Sequence, residues 1–145
     1  MRYFLDAEFN GFGGGLIAIA AVPEGDEVAP FYEAVECPEP NPWVTANVLP
    51  VLHTKQRPLA EVAHMFSSYL AADTDPVLIA DWPEDIGHAV ALLTNGRGGR
   101  LVGRAVRFEI LSTSDFASES RSEVPHNAYY DAVALRDWVV SNEHC

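Results

Sequence analysis

The chain has 145 residues, of which 48% are hydrophobic and 21% are charged, the composition of one ordinary globular domain. Its longest apolar run, Leu16 to Val22, is far shorter than the about 20 residues of a membrane-spanning helix, so we expect no membrane segment. The net charge of −12 would repel nucleic acid or an anionic membrane if it were spread evenly over the surface.

The first three strands are predicted to form a meander. Apolar and β-branched residues favour strands over residues 2–9, 16–22 and 28–36. The glycines between residues 11 and 15 predict a hairpin turn. They do not predict a phosphate-binding loop, because such a loop leads into a helix, whereas Gly15 leads into the second strand.

Beyond residue 40 the chain predicts alternating helices and strands. After Pro58, apolar residues recur at helical spacing through Leu70, and proline is accepted in the first turn of a helix. The predicted elements are, in order, a short helix from Asn41, a helix from Pro58, a strand over 76–80, a helix over 86–93, a strand over 105–111 and a helix from about 127 to 140. This order indicates one α/β domain over residues 1–145, with a mixed central sheet flanked by helices.

The N-terminal residues and the cysteines indicate the compartment. Asp6 interrupts the N-terminal apolar residues before the hydrophobic region of a signal peptide is complete. Cys37 and Cys145 are too few for a disulfide framework or a four-thiolate zinc site. We therefore predict a cytoplasmic protein.

Two carboxylates are predicted to share one face of the first strand. Asp6 and Glu8 lie two residues apart, so strand alternation places them on the same side as Phe4. Neighbouring carboxylates among apolar side chains are costly to desolvate, and a divalent metal ion would compensate them. A solvent-facing pair with no ligand is the alternative.

A third carboxylate follows the predicted strand 76–80. Asp81 stands at the carboxyl end of that strand, the side of an open α/β sheet where ligands usually bind. It could equally cap the next helix, with Asp85 one turn further on.

The last predicted helix carries a fourth carboxylate. If Asn127 caps this helix, then Asp131, Leu135 and Trp138 form one stripe that faces the sheet. His126 then lies in the loop before the helix, from which it can reach the same site as Asp131.

These acidic motifs resemble those of a known family. Asp6-Ala7-Glu8 is similar to the first motif, and His126-x4-Asp131 to the third motif, of the DEDDh 3′–5′ exonucleases of the RNase H-like superfamily, which include oligoribonuclease and RNase T. The predicted order of strands and helices agrees with that fold, so the resemblance spans nearly the whole chain. It implies an RNase H-like fold.

Two segments depart from the family pattern. Relatives often carry an Asn shortly before the second-motif Asp, whereas this chain reads Val77-Leu-Ile-Ala-Asp81-Trp82. Asp81 is expected to take that position, and Asp85 is the alternative. Many relatives have Thr-Thr-Gly after the first motif, where this chain has Phe9-Asn-Gly. An aromatic residue there would stack on a terminal base, and a place in the core is the other interpretation of Phe9.

The resemblance implies metal-dependent hydrolysis of phosphodiester bonds. Asp6, Glu8, Asp81 and Asp131 would hold two Mg²⁺ or Mn²⁺ ions, and His126 would accept the proton of the attacking water. The implied substrate is single-stranded RNA or an RNA 3′ overhang, with DNA as an open possibility, and the product is a nucleoside monophosphate. The small relatives are commonly dimers, so a homodimer is also expected.

A basic segment stands out in this acidic chain. Four of its nine basic residues are Arg97, Arg100, Arg104 and Arg107. We predict that Arg97 and Arg100 bind the substrate backbone, and a solvated Gly/Arg loop is the alternative. Two other functions stay open at this level: a nucleic-acid-binding module on the same fold that does not hydrolyse, and a phosphoesterase for free nucleotides.

Overall fold

The computed structural model describes residues 1–143 and contains a six-stranded mixed sheet with helices on both faces. The strands are β1 (Arg2–Phe9), β2 (Leu16–Pro23), β3 (Phe31–Val35), β4 (Gln56–Arg57), β5 (Val77–Ala80) and β6 (Arg107–Ile110). The helices are α1 (Pro42–Asn47), α2 (Leu59–Ala71), α3 (Pro83–Leu92), α4 (Ser118–Arg121) and α5 (Ala128–Glu143), and a 3₁₀ turn spans Leu49–Val51. Within residues 1–143, no helix combines the length and the apolar character that crossing a membrane requires.

β1 occupies an inner position of the sheet, whose strand order is β4-β3-β2-β1-β5-β6. It pairs antiparallel with β2 and parallel with β5. Residues at odd positions, such as Leu5, pack in the core under α2 and α3, whereas Phe4 packs on the other face with Leu135 of α5. The alternation along β1 therefore sends Asp6 and Glu8 to the α5 face of a strand that is covered on both sides.

The predicted α/β class with a mixed sheet is confirmed, and the differences are local. The third strand begins at Phe31, later than predicted, because Pro30 directly before it has no N–H to donate to the sheet. The helix after β5 begins earlier than predicted, at Pro83, since proline suits the first position of a helix. β4 and α4 were not predicted, because two and four residues are too few to carry a periodic pattern.

Asn127 fastens the start of α5 to the 3₁₀ turn. Its side-chain oxygen accepts hydrogen bonds from the N–H groups of Tyr129 and Tyr130, which caps the helix as predicted. Its amide nitrogen donates to the carbonyl oxygens of Val51 and Leu52. The Asn127 side chain is buried, and its bond to Leu52 is buried with it, whereas the other three bonds are half-buried.

We expect Asn127→Ala to lower the free energy of unfolding by about 2 kcal/mol, because it removes a cap and the hydrogen bond to the Val51 carbonyl, whereas the Leu52 carbonyl keeps its bond from the Tyr32 hydroxyl. Chemical denaturation measures the loss. Asn142→Ala is the matched control on the same helix, since Asn142 is exposed and bonds only to Trp138 one turn before it. A typical helix cap contributes about 1 kcal/mol, so a loss below about 0.5 kcal/mol in Asn127→Ala would contradict this role.

Candidate metal centre

Three of the predicted carboxylates meet on the α5 face of the sheet. Asp6 and Glu8 extend from β1, and Asp131 extends towards them from the first turns of α5. One carboxylate oxygen from each residue lies within 4.8 Å of the other two. We call these three residues, together with Asp85 in the first turn of α3, the acidic cluster.

The fourth carboxylate comes from the helix after β5. Asp85, in the first turn of α3, is 3% exposed, and its charge acts on Asp6 more strongly than that of any other residue. Asp81 lies at the end of β5, is less buried and acts on Asp6 more weakly. The structure therefore places both acids beside the cluster and gives Asp85 the closer electrostatic contact.

The cluster is held together against strong electrostatic repulsion. Burial raises the pKa of Asp6 well above its ordinary value, and the charges of Asp85 and Glu8 raise it further. Burial, followed by the charges of Asp131 and Asp85, raises the pKa of Glu8 to about 8. Burial and the charge of Asp81 also raise the pKa of Asp85 to about 8, although a hydrogen bond from the backbone of Ala7 opposes the rise. Each carboxylate thus makes its neighbours harder to ionise.

Two oxygens of the cluster fit a cation. Asp6 Oδ2 and Asp131 Oδ1 are buried and accept no hydrogen bond from the described residues. An acceptor without a partner is costly to bury, and a hard divalent cation such as Mg²⁺ or Mn²⁺ prefers oxygen donors of this kind. The donor set therefore suits a divalent metal ion.

His126 lies beside the cluster, in the loop before α5. Its backbone has a φ of 67°, in the left-handed region, and its N–H donates a 3.2 Å hydrogen bond to Asp131 Oδ2. The imidazole stands edge-on to the indole of Trp43, with ring centroids 5.0 Å apart. The backbone N–H of His126 thus bonds to Asp131, and the imidazole packs against Trp43 of α1. Both contacts hold His126 beside the acidic cluster.

Exposed aromatic side chains surround the cluster, and sequence reasoning did not assign them. Phe12 is 85% exposed, Trp43 51% and Trp82 49%. Phe12 and Trp82 lie 6.3 Å apart between ring centroids, and Phe12, Trp43 and Glu8 line one cavity of about 400 Å³. Single exposed apolar side chains are common, but a contiguous apolar patch is typical of a binding surface, so the clustering of these rings is the signal that identifies them.

The β1–β2 hairpin is fastened to both neighbouring helices. Asn10 Oδ1 accepts a hydrogen bond from the N–H of Asn41, which in turn caps α1. The N–H of Gly13 donates to Glu84 at the start of α3. Gly11 has a φ of 77°, and a side chain there would press on Asn41, so this tight turn favours glycine. These contacts fix Phe12 and Trp43 relative to Glu8.

The predicted substrate-binding residues have different environments. Phe9 is half-buried and stacks on His88, with ring centroids 5.2 Å apart. The Arg100 guanidinium donates to the carbonyl oxygens of Val102 and Arg104, so it organises its own loop. Among residues 1–143, no hydrogen bond or ion pair reaches the Arg97 guanidinium, which is exposed to solvent.

Comparison with known proteins does not assign this chain to a family. The sequence matches none of the protein-family models searched, and no curated protein matches it. The case for its function therefore depends on its own residues.

We expect saturating Mg²⁺ or Mn²⁺ to raise the melting temperature, because the ion relieves repulsion in the cluster and binds only the folded state. An ion at 100 times its Kd would add about 2.7 kcal/mol to the free energy of unfolding. Asp6→Asn should lose most of this gain in a thermal melt. Asp26→Asn, a change in an exposed turn, is the control and should keep it. An unchanged melting temperature in the unaltered protein would refute the metal site.

The metal-free protein should lose stability as the pH rises from about 5 to 8. The folded state holds protons on Glu8 and Asp85 up to about pH 8, whereas the unfolded chain releases them near its ordinary carboxyl pKa. A carboxyl group whose pKa is higher in the folded state than in the unfolded chain adds stability when the pH is below its pKa in the unfolded chain. This added stability is lost as the pH rises through its pKa in the folded state.

Chemical denaturation at several pH values, with a chelator present, measures the slope of the free energy of unfolding against pH. Glu8→Gln should make it shallower by up to about 1.4 kcal/mol per pH unit, the weight of one proton. Glu109→Gln, an exposed residue of β6, should leave the slope unchanged. Equal slopes in the two variants would contradict the raised pKa of Glu8.

Proposed function

We propose that this protein is a divalent-metal-dependent 3′–5′ exonuclease of the DEDDh type, with an RNase H-like fold, and that its substrate is single-stranded RNA. The observation that carries the proposal is the meeting of Asp6, Glu8 and Asp131 within 4.8 Å, with buried oxygens that lack partners. The mixed sheet and the order of its elements are compatible with that fold.

The acidic cluster supplies the metal ligands in this proposal. Asp6, Glu8, Asp131 and Asp85 would hold the ions, and Asp81 stands beside them as the alternative to Asp85. When bound, two divalent ions stabilise the negative charge on the attacking and leaving oxygens of a phosphodiester. The four acids bring the negative charge that the ions need, and the partial exposure of Asp6 and Glu8 leaves the cluster open to water and substrate.

His126 is suited to accept a proton from water. Its ring is not one of the three groups whose ligand atoms lie within 4.8 Å of one another, and in this proposal it acts as a base and the carboxylates act as ligands. The edge contact with Trp43 limits rotation of the ring, and the bond from its N–H to Asp131 ties its backbone to a cluster residue. A general base held this way contributes roughly 10²-fold to 10⁴-fold to a reaction rate.

The exposed aromatic rings favour a single-stranded substrate. Unpaired bases can stack on aromatic side chains, each worth about 1–3 kcal/mol, whereas the bases of a duplex are not free to do so. Phe12 and Trp43 line the cavity that opens next to Glu8, so a terminal base stacked there brings its phosphate to the cluster. RNA is preferred to DNA on the resemblance to small exoribonucleases.

We expect His126→Ala to lower activity by roughly 10²-fold to 10⁴-fold and to keep the metal-dependent rise in melting temperature. Asp131→Ala should lose both, because it removes a ligand. His53→Ala is the matched control, since His53 also has a positive φ but is exposed and outside the cluster. If His126→Ala abolishes metal stabilisation and Asp131→Ala keeps it, the two roles are reversed.

Incubation of the pure protein with a 3′-overhang RNA, the matching DNA and free nucleotides tests the function directly. The proposal predicts stepwise release of nucleoside monophosphates from the RNA with Mg²⁺ or Mn²⁺, and none with chelator. Cleavage of free nucleotides alone would favour a phosphoesterase. Metal-dependent binding of RNA without cleavage would favour a non-hydrolysing binding module.

A further inference from the structure

A second and larger cavity lies on the other side of Phe9 from the aromatic rings. It is a groove of about 600 Å³ between α2, α3 and the hairpin around Gly96. Its walls are mostly apolar and include Leu59, which is 54% exposed, Ala60 and Ala91. We call it the α2–α3 groove.

The groove adjoins the candidate site. His88 lines the groove and follows Asp85 by three residues, so both lie on the same face of α3. The His88 ring stacks on Phe9, which lines the cavity next to Glu8. The stacked Phe9–His88 pair thus borders both cavities, which places the groove next to the cavity beside Glu8.

The chemistry of the groove suits bases and a phosphate. Leu59, Ala60 and Ala91 offer apolar surface against which the faces of unpaired bases can pack, and the polar part of the lining includes His64 and the acid Glu36. Burial lowers the pKa of His88, so its imidazole is a neutral, flat surface at neutral pH. At the far end, the hairpin carries Arg97, the exposed guanidinium that no described residue binds.

The dimensions suit several nucleotides. From Asp85 to its end at Leu92, α3 rises by seven residues, about 10 Å at 1.5 Å per residue. A stacked strand advances about 3.4 Å per nucleotide, so this length accommodates about three nucleotides.

We propose that the α2–α3 groove binds the single-stranded nucleic acid on the 5′ side of the scissile phosphate, with Arg97 contacting a phosphate at its far end. This proposal depends on the proposed function for one point only, which is that the scissile bond lies at the acidic cluster. The terminal base occupies the aromatic cavity, the Phe9–His88 pair separates it from the preceding bases, and the groove gives a long strand its additional affinity.

Filling the groove tests the proposal. Ala91→Trp and Ala60→Trp place a bulky ring in the groove at exposed helix positions, from opposite walls. Ala72→Trp is the matched control, because Ala72 is exposed at the opposite end of α2. Thermal melts establish that each variant folds. The probes are a fluorescent 12-nucleotide single-stranded RNA and the p-nitrophenyl ester of thymidine 5′-monophosphate, which is too short to enter the groove.

Binding of the RNA is measured by anisotropy in the His126→Ala background, so that the strand is not consumed. We expect each groove variant to raise the Kd at least tenfold, and Ala72→Trp to leave it unchanged. Hydrolysis of the ester, measured with His126 present, should be the same in all three. Arg97→Ala should reduce the slope of log affinity against log salt by about 0.7, the value for one phosphate on a single strand.

An unchanged Kd in both folded groove variants overturns the proposal, as does an unaltered protein that does not bind the RNA. If Ala91→Trp converts a dimer to a monomer in sedimentation and keeps the Kd, the groove is an interface between copies and the proposal fails. Binding that the groove variants weaken, without cleavage by the unaltered protein, supports the groove and rejects the exonuclease.

Discussion

Burial of the Asp6 carboxylate at an inner strand is the constraint on which the rest of the site depends. β1 is flanked by two strands and covered by helices on both faces, so Asp6 is partly shielded from solvent and its Oδ2 is buried. The charged groups that act on it are themselves carboxylates, supplied by β1, α3 and α5. Three separate elements therefore converge on a point where their charges repel, an arrangement that a bound cation stabilises and that costs stability in its absence.

The elements around the cluster are joined to it by specific contacts. Asn127 caps α5 and bonds to the 3₁₀ turn, and Asn10 links the β1–β2 hairpin to the cap of α1. Through these two links, Trp43 is placed against His126 and beside the cavity next to Glu8. The aromatic rings are exposed, but the backbone that carries them is held by buried or half-buried hydrogen bonds. Such a support keeps a binding surface ordered before a ligand arrives.

The distribution of positive charge agrees with a metal-centred site. Arg2 pairs with Glu24 and Glu143, Arg57 pairs with Glu33 and Glu61, and Arg107 pairs with Asp75. These arginines are engaged at the surface, and none of them appears among the charges that act on Asp6. These arginines therefore do not neutralise Asp6, whereas protons or a bound cation can do so. Arg97 differs because its guanidinium has no partner among residues 1–143, and it directly follows Gly96, which lines the α2–α3 groove.

The sequence by itself determined the class of the fold and most of the acidic residues, because these depend on local periodicity. Alternation along β1 paired Asp6 with Glu8, and helical spacing placed Asp131 on the buried stripe of α5 with His126 before its cap. The sequence could not decide which of Asp81 and Asp85 acts more strongly on Asp6. That depends on how the chain turns after β5, and packing against neighbouring elements sets this turn. The exposure of Phe12 and Trp43 and the presence of the α2–α3 groove are seen only in the tertiary structure, because exposure and cavities arise from residues far apart in the chain. Likewise, only the folded loop distinguishes Arg100, which bonds to its own backbone, from the unpartnered Arg97.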